Sequence, residues 1–166
     1  MSAPPHHTDR TRSVGCAVLT VSDTRTADTD ASGTRVRELL EAAGHRVVAY
    51  DILPDDPARL RPRLVELVSG STEAVILSGG TGLAPRDNTY EVVVGLLDKR
   101  LDGFGELFRS LSFADIGPPA MLSRAVAGVA GRTVVVALPG STNAVDLAVR
   151  RLLVPVLGHM VALVRG

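Results

Sequence analysis

Apolar runs alternate with amphipathic segments along this chain, and this alternation constrains its fold more than any other feature. The runs predict strands over residues 14–21, 45–53 and 74–77. The last of these is expected to be buried, because strands covered on both faces are apolar along their whole length. The intervening segments repeat apolar residues at helical spacing, which predicts helices over 32–43 and 57–69. Strands that alternate with helices form an open, mostly parallel sheet covered on both faces, so we expect a three-layer α/β/α sandwich.

The second half of the chain continues the pattern with less regular segments. It predicts helices from residue 89 to about 97, over 105–112, and from about 141 to 164. Residues 120–129 and 132–138 predict two strands joined by Ala130-Gly131 in an antiparallel hairpin. Pro62 lies inside one predicted helix, which therefore either bends there or starts later, and Pro155 interrupts the last helix.

Composition limits the classes of function. The 166 residues predict one domain over 14–166, preceded by a polar tail, residues 1–13, that we expect to be disordered. A formal net charge of zero and only five aromatic side chains argue against nucleic-acid and membrane-surface binding. Cys16 is the single cysteine, which fits a reducing cytoplasm, and the start of the sequence resembles neither a signal peptide nor a membrane anchor.

A glycine-rich stretch directly follows the third predicted strand. It is Ser78-Gly79-Gly80-Thr81-Gly82-Leu83-Ala84-Pro85-Arg86-Asp87-Asn88-Thr89. Glycines allow close approach of a ligand to the main chain and present amide N–H groups to anions. The stretch lacks the lysine of a Walker A loop, since Lys99 is the only lysine and is predicted at the far end of the next helix. The glycine spacing also differs from that of a dinucleotide fold. We therefore interpret it as another type of anion-binding loop, the alternative being a simple turn.

The ends of four predicted parallel strands should meet at one edge of the sheet. They are residues 22–24, 54–56, 78–82 and 139–142, and ligands of such sheets bind beyond the carboxyl ends of the strands. Asp23, Asp55 and Asp87 fall at this edge, where carboxylates beside a phosphate suit Mg²⁺. For Asp56 we favour a helix cap, which is also the alternative for Asp55.

Other polar residues leave two interpretations open. Ser141 can cap the last helix, bind an anion at its start, or do both. Arg124 either contacts a phosphate or is an ordinary surface arginine. For Glu106 the spacing alone indicates only a solvated helix face. His45 and His159 are isolated in the sequence and are expected to be structural.

The glycine-rich stretch, with Arg86-Asp87 and Thr89, resembles the signature of the MogA/MoaB family of molybdenum-cofactor biosynthesis proteins. The likeness continues in register over about residues 14–160. It includes Val21-Ser22-Asp23, Leu53-Pro54-Asp55, Gly103-Phe104-Gly105-Glu106, Leu111-Ser112, Ile116-Gly117, Met121-Leu122-Ser123-Arg124-Ala125 and Leu138-Pro139-Gly140-Ser141. The short carboxyl end and the segment from Leu111 to Val129 are more similar to the MoaB branch.

The resemblance implies a molybdopterin-binding domain that assembles as a trimer or hexamer in the cytoplasm. Active members are adenylyltransferases that use Mg²⁺ and ATP to attach AMP to molybdopterin, releasing pyrophosphate, and a downstream metal-insertion protein is an implied partner. Asp55 and Asp87 match the family's catalytic residues and its implied Mg²⁺ ligands. The implied pterin and nucleotide pocket consists of Ser22, Asp23, Ser78, Gly79, Gly80, Thr81, Gly82, Glu106, Ser123, Pro139, Gly140 and Ser141.

Two alternatives to this function remain. Some MoaB-branch proteins are catalytically redundant or inactive, so one alternative is a protein that binds the pterin without adenylylating it. The intact Pro85-Arg86-Asp87 segment favours activity here. The second alternative is the nucleotide pyrophosphate hydrolase domain of the competence-damage protein family, to which residues 121–127 are less similar.

Overall fold

A six-stranded sheet forms the centre of the computed structural model, which describes residues 12–166. Its strand order is β2-β1-β3-β6-β5-β4, and the first four of these strands are parallel. β5 runs antiparallel to β6, and β4 runs antiparallel to β5. The strands are β1 Gly15–Val21, β2 Arg46–Leu53, β3 Ala74–Ser78, β4 Lys99–Arg100, β5 Val126–Ala130 and β6 Thr133–Leu138.

Helices cover both faces of this sheet, which confirms the predicted three-layer α/β fold. They are α1 Ala31–Ala42, α2 Pro57–Ser69, α3 Thr89–Val94, α4 Asp102–Ile116, α5 Thr142–Ala148 and α6 Leu157–Arg165. A 3₁₀ helix, Pro118–Leu122, follows α4, and a π-helical turn, Val149–Leu153, follows α5. The expected disordered tail lies, apart from residues 12 and 13, outside the described part of the chain.

The strand β1 illustrates why the runs are apolar throughout. All seven of its residues are buried. Cys16 and Val18 pack in a cluster with α1, α4, α5 and α6 on one face, while Ala17 and Leu19 pack with α2 and α3 on the other. Burying each such Val or Leu side chain stabilises the fold by about 1.5–3 kcal/mol, so the central strands carry much of the stability.

Local side-chain chemistry sets several helix ends. Asp56 caps α2, accepting a hydrogen bond from the Ala58 amide at 2.9 Å, as predicted. Ser141 caps α5 by accepting from the Ala144 amide at 3.2 Å. Gly44 follows α1 with φ at +86°, a conformation that favours glycine.

Several details differ from the sequence-based predictions. The helix α2 begins at Pro57 and includes Pro62, so the later start is wrong. Only the second half of the predicted strand 120–129 is a strand, because Pro118 and Pro119 begin a 3₁₀ turn. Lys99 lies on β4, a two-residue strand too short to produce an alternating pattern.

The last helical segment bends by 62° between Leu153 and Leu157, around Pro155. Within residues 12–166, no single helix is long and apolar enough to cross a membrane, although this bent pair reaches the required length and composition when taken together.

His45 has the structural role expected of it. Its side chain is buried, and Nδ1 accepts a hydrogen bond from the Val14 amide at 3.2 Å. Burial lowers the pKa of His45 below its ordinary value of 6.5, since the charged imidazolium is poorly solvated there.

Protonation of His45 should destabilise the fold in acid. The unfolded chain binds the proton more tightly than the folded chain does. The contribution of neutral His45 to the free energy of unfolding should therefore be complete above pH 6.5 and should decrease as the pH falls toward the lowered pKa. His45→Asn keeps an acceptor near Nδ1 but cannot titrate, so it should lack this component in urea denaturation between pH 5 and 7. Equal pH dependence in both proteins would contradict the assignment.

The thiol of Cys16 should be unreactive in the folded protein. It is fully buried and donates a hydrogen bond to the Val14 carbonyl at 3.6 Å, and burial raises its pKa to about 12. Because the thiolate is the nucleophile, we expect no reaction with Ellman's reagent at neutral pH until guanidinium unfolds the chain. One thiol per chain should then react; rapid reaction without denaturant would contradict this.

Candidate functional site

Four loops meet at the carboxyl ends of the parallel strands, as the strand order requires. The Ser22 amide donates to the Leu53 carbonyl at 2.9 Å, and the Gly79 amide donates to the Leu138 carbonyl at 2.9 Å. The Asp55 amide donates to Asp23 Oδ1 at 3.2 Å. These contacts join the end of β1 to that of β2 and the end of β3 to that of β6, and the pairing of β1 with β3 makes the rim continuous.

The segment from Ser78 to Asn88, here called the glycine loop, follows β3 in a conformation that requires glycine. Gly79 and Gly80 have φ values of +105° and +70°. A side chain on Gly79 would collide with the Val21 carbonyl, and one on Gly80 would collide with Thr89 Oγ1 and Asp55 Oδ2. The loop therefore lies directly against β1 on one side and against a carboxylate on the other.

Consecutive main-chain donors in this loop are available to a ligand. Within residues 12–166, the amides of Gly80, Thr81, Gly82 and Leu83 donate to no protein acceptor. Successive free N–H groups in a turn of this kind form a concave binding site for anions. This supports the predicted anion-binding role over that of a simple turn.

Three carboxylates surround the loop. Asp55 is buried and accepts hydrogen bonds from the Asn88 amide, at 3.1 Å to Oδ1, while Asp87 Oδ2 accepts from the Ala84 amide at 2.9 Å. Burial raises the pKa of Asp55; the Asn88 hydrogen bond opposes this rise, and repulsion from Asp87 and Asp23 adds to it. The three carboxylates are thus close enough to repel one another.

Arg86 supplies the nearby positive charge. Its guanidinium pairs with Asp23 Oδ2 at 2.8 Å, and its side chain is 70% exposed. An exposed ion pair of this kind contributes about 0–1 kcal/mol, so Arg86 can exchange Asp23 for another anion at little cost.

A second arginine fixes the loop after β6. Arg25 Nη2 donates to the Gly140 carbonyl at 3.1 Å, and Nη1 donates to Ser32 Oγ at 2.9 Å. Behind it, the buried Asp30 caps α1 through the Gly33 amide at 3.0 Å. Burial alone would raise the pKa of Asp30, but hydrogen bonds from Thr20, Tyr50 and the Gly33 amide, together with the charge of Arg25, outweigh it and hold the pKa low.

A cavity of about 390 Å³ opens beside the glycine loop. One wall is the loop itself and residues 139–141. The opposite wall is mostly apolar and comes from α4 and the 3₁₀ helix: Phe108, Ser112, Ile116, Pro119, Ala120 and Leu122. This combination of an apolar wall with convergent polar groups is typical of sites that bind small molecules and cofactors.

Two larger grooves lie elsewhere on the surface. One, of about 620 Å³, lies between α4 and α5, and the other, of about 590 Å³, lies along β4, β5 and α6. Neither contains the free amides or the carboxylates of the rim, so size alone does not identify the functional site.

Comparisons with known proteins place the chain in a family. Residues 17–159 match the family described as "Probable molybdopterin binding domain". Molybdenum cofactor biosynthesis protein B of Halalkalibacterium halodurans is 49% identical over 162 residues, covering 96% of this chain and 95% of that protein. The chain belongs to this molybdopterin-binding family. It is a MoaB-type member, in agreement with the resemblance seen in the sequence.

Solved structures agree with this assignment to the molybdopterin-binding family. A crystal structure of molybdenum cofactor biosynthesis protein B is 46% identical, with a TM-score of 0.90, and the match covers 93% of this chain and 97% of that one. The CinA protein of Thermoplasma acidophilum, of unknown function, is 16% identical, with a TM-score of 0.58 and coverage of 83% and 95%. At that identity the likeness shows the fold alone.

The residues predicted for the pterin and nucleotide pocket, together with the predicted catalytic residues Asp55 and Asp87, separate into two groups in the structure. Those that line the cavity are Gly79, Gly80, Thr81, Gly82, Asp87, Ser123, Pro139, Gly140 and Ser141. Of the remainder, Asp23 and Asp55 lie at the rim behind the loop, and Ser22 Oγ accepts hydrogen bonds from the Thr24 and Arg25 amides. Ser78 is buried at the end of β3, and Glu106 is exposed on α4, outside the cavity lining.

Sequence reasoning missed the apolar wall and the anchoring role of the arginines. Ile116 and Leu122 are more than half exposed, but an apolar residue on a helix does not by itself distinguish a ligand wall from a core face. Arg25 and Arg124 act on main-chain carbonyls far away in the sequence, and such contacts leave no local pattern.

The carboxyl group of Asp55 should titrate above the ordinary aspartate value of 3.8. Asp87→Asn removes one of the two repelling charges and should lower the midpoint, while Asp98→Asn, at the far end of the sheet, should leave it unchanged. The carboxyl ¹³C shift of Asp55, followed by NMR from pH 2 to 7, gives the titration midpoint in both variants. A midpoint unaffected by Asp87→Asn would contradict the electrostatic coupling.

Proposed function

We propose that this protein adenylylates molybdopterin, using Mg-ATP and releasing pyrophosphate. The observation that carries the proposal is the row of free amides in the glycine loop, placed between three carboxylates and an apolar-walled cavity. A reaction that brings two phosphate-bearing ring compounds together needs each of these parts. Membership of the molybdopterin-binding family supports the pterin as the substrate.

In this reaction a terminal phosphate oxygen of molybdopterin attacks the α-phosphorus of ATP. The new P–O bond forms as the bond to the β-phosphate oxygen breaks, and pyrophosphate leaves. The protein's contribution is positioning and neutralisation of charge rather than covalent catalysis. The amides from Gly80 to Leu83 hold phosphate oxygens, and Arg86 moves from Asp23 to the polyphosphate.

The residues of the rim fit a Mg²⁺ ion. Asp55 and Asp87 would hold it, and when bound it neutralises phosphate charge and orients the leaving group. Burial raises the pKa of Asp55, and repulsion from Asp87 and Asp23 adds to the rise, so a bound cation would stabilise the carboxylate there. Thr89 Oγ1, buried beside Gly80, has no hydrogen-bond partner in the described chain. Among residues 12–166, no three His, Cys, Asp or Glu side chains cluster as a metal site. Phosphate oxygens and water would therefore complete the coordination, as is usual for Mg²⁺.

The proposed assembly is a trimer or hexamer in the cytoplasm, passing its product to a metal-insertion protein. Apolar side chains exposed on α4 and the 3₁₀ helix support self-association, among them Leu107 at 57%, Phe113 at 59% and Met121 at 74%. Sedimentation equilibrium tests the assembly directly.

Replacing Asp87 by Asn should abolish turnover, a loss of at least about 100-fold, because the charge on a proposed Mg²⁺ ligand is removed. Asp56→Asn is the matched control, since an asparagine preserves the cap on α2 that Asp56 provides. The assay follows pyrophosphate and adenylylated pterin formed from Mg-ATP, with and without molybdopterin. Circular dichroism confirms that both variants fold.

The same assay separates the alternatives. Pyrophosphate release that requires the pterin supports the adenylyltransferase. Tight pterin binding without release would identify a non-catalytic binding protein, and hydrolysis of nucleotide without pterin would identify a pyrophosphate hydrolase. Full activity of Asp87→Asn would overturn the residue assignment.

A further inference from the structure

Arg124, between the 3₁₀ helix and β5, reaches across to the glycine loop. Its Nε donates to the carbonyls of Thr81 at 3.3 Å and Gly82 at 3.1 Å. Its Nη2 donates to the carbonyls of Gly82 at 2.7 Å and Asp87 at 3.2 Å. Its own main-chain amide donates to Thr81 at 3.1 Å. One residue therefore holds carbonyl groups at both ends of the segment 81–87.

The guanidinium of Arg124 is itself fixed from the other side. Glu91 on α3 accepts hydrogen bonds from both Nη atoms, and these bonds lower the pKa of Glu91. The guanidinium also lies over the ring of Tyr90, 4.8 Å from its centroid. Only 26% of the Arg124 side chain is exposed, so its planar guanidinium group is held in one orientation.

The carbonyl contacts determine where the free amides point. In a planar trans peptide the C=O and the following N–H point in opposite directions. Because the carbonyls of Thr81 and Gly82 point toward Arg124, the amides of Gly82 and Leu83 point away from it. These two amides belong to the row that has no protein acceptor in the described chain.

We infer that Arg124 is a positioning residue for the proposed reaction. It directs the phosphate-binding amides of the glycine loop and, through the Asp87 carbonyl, fixes the residue that carries a proposed catalytic carboxylate. This inference rests on the adenylyltransferase function proposed above. Arg124 acts here through the loop rather than by contacting phosphate, since four of its five N–H groups already donate to protein acceptors and only one N–H of Nη1 is left over.

Arg124→Lys separates positioning from simple charge. Lysine keeps the positive charge but lacks the planar fork that holds several carbonyls at once. The matched control is Arg165→Lys at the opposite end of the sheet. Arg165 is similarly buried, with 24% of its side chain exposed, and likewise donates to a carbonyl, that of Thr72 at 2.9 Å, and lies near an acid, Glu73.

The first measurement is hydrogen exchange of residues 79–89 in the substrate-free variants. The amides of Asp87, Asn88 and Thr89 are hydrogen-bonded in the ordered loop and should exchange faster in Arg124→Lys but not in Arg165→Lys. The second measurement is pterin-dependent pyrophosphate release, in which kcat/KM should fall by about 10- to 100-fold for Arg124→Lys alone.

The combined results of hydrogen exchange and turnover distinguish a positioning role of Arg124 from direct contact with phosphate and from no role. Unchanged exchange combined with lost turnover would mean that Arg124 contacts phosphate directly, and unchanged turnover would mean that it has no role; either result overturns the inference. A wild-type protein that releases no pyrophosphate would overturn the proposed function itself, and with it the role of Arg124 in that reaction. Faster exchange and a lower kcat/KM in Arg124→Lys together support the positioning role of Arg124.

Discussion

The parallel pairing of β3 with β1 on one side and β6 on the other is the constraint on which the site depends. Their registers pair Thr20 with Ser78 and Ser78 with Leu138, so the three strands end at the same level. Three loops must then turn within the width of three strands. Main chain packs directly against main chain there, and Gly79 permits this, because a Cβ on Gly79 would collide with the Val21 carbonyl oxygen. The anion-binding loop is thus a consequence of strand register.

The same rim collects groups that are unfavourable in the unliganded protein. Asp55 is buried near two other carboxylates, and the hydroxyls of Ser78 and Thr89 are buried without a partner in the described chain. Each such hydroxyl costs about 1–3 kcal/mol. The buried central strands supply the stability that tolerates these groups, and a ligand that carries cations and phosphate would relieve them. Binding sites commonly store free energy in this way.

Much of the fold and part of the site follow from sequence patterns. The runs that became β1, β3 and β6 are apolar because both of their faces are covered, and the composition of the glycine loop makes it recognisable in the sequence. The edge strand β4 has two residues, too few for any periodic signal, and the turn at Pro118 depends on how α4 ends. Contacts between segments far apart in the sequence, which no local pattern encodes, create the cavity wall at Ile116 and Leu122. The hydrogen bonds from Arg124 to the glycine loop arise in the same way.

The position of β6 in the sheet has a consequence for synthesis of the chain. β6 is the last strand to be translated, yet it lies in the interior of the sheet, between β3 and β5. Until residues 133–138 leave the ribosome, β3 presents an open hydrogen-bonding edge, and β5 lacks the partner that joins it to the sheet. Open edges of this kind favour pairing with other chains. The nascent protein therefore passes through a stage in which most of its strands have been made but the sheet and the rim are incomplete, and in which chaperone binding would protect it from aggregation.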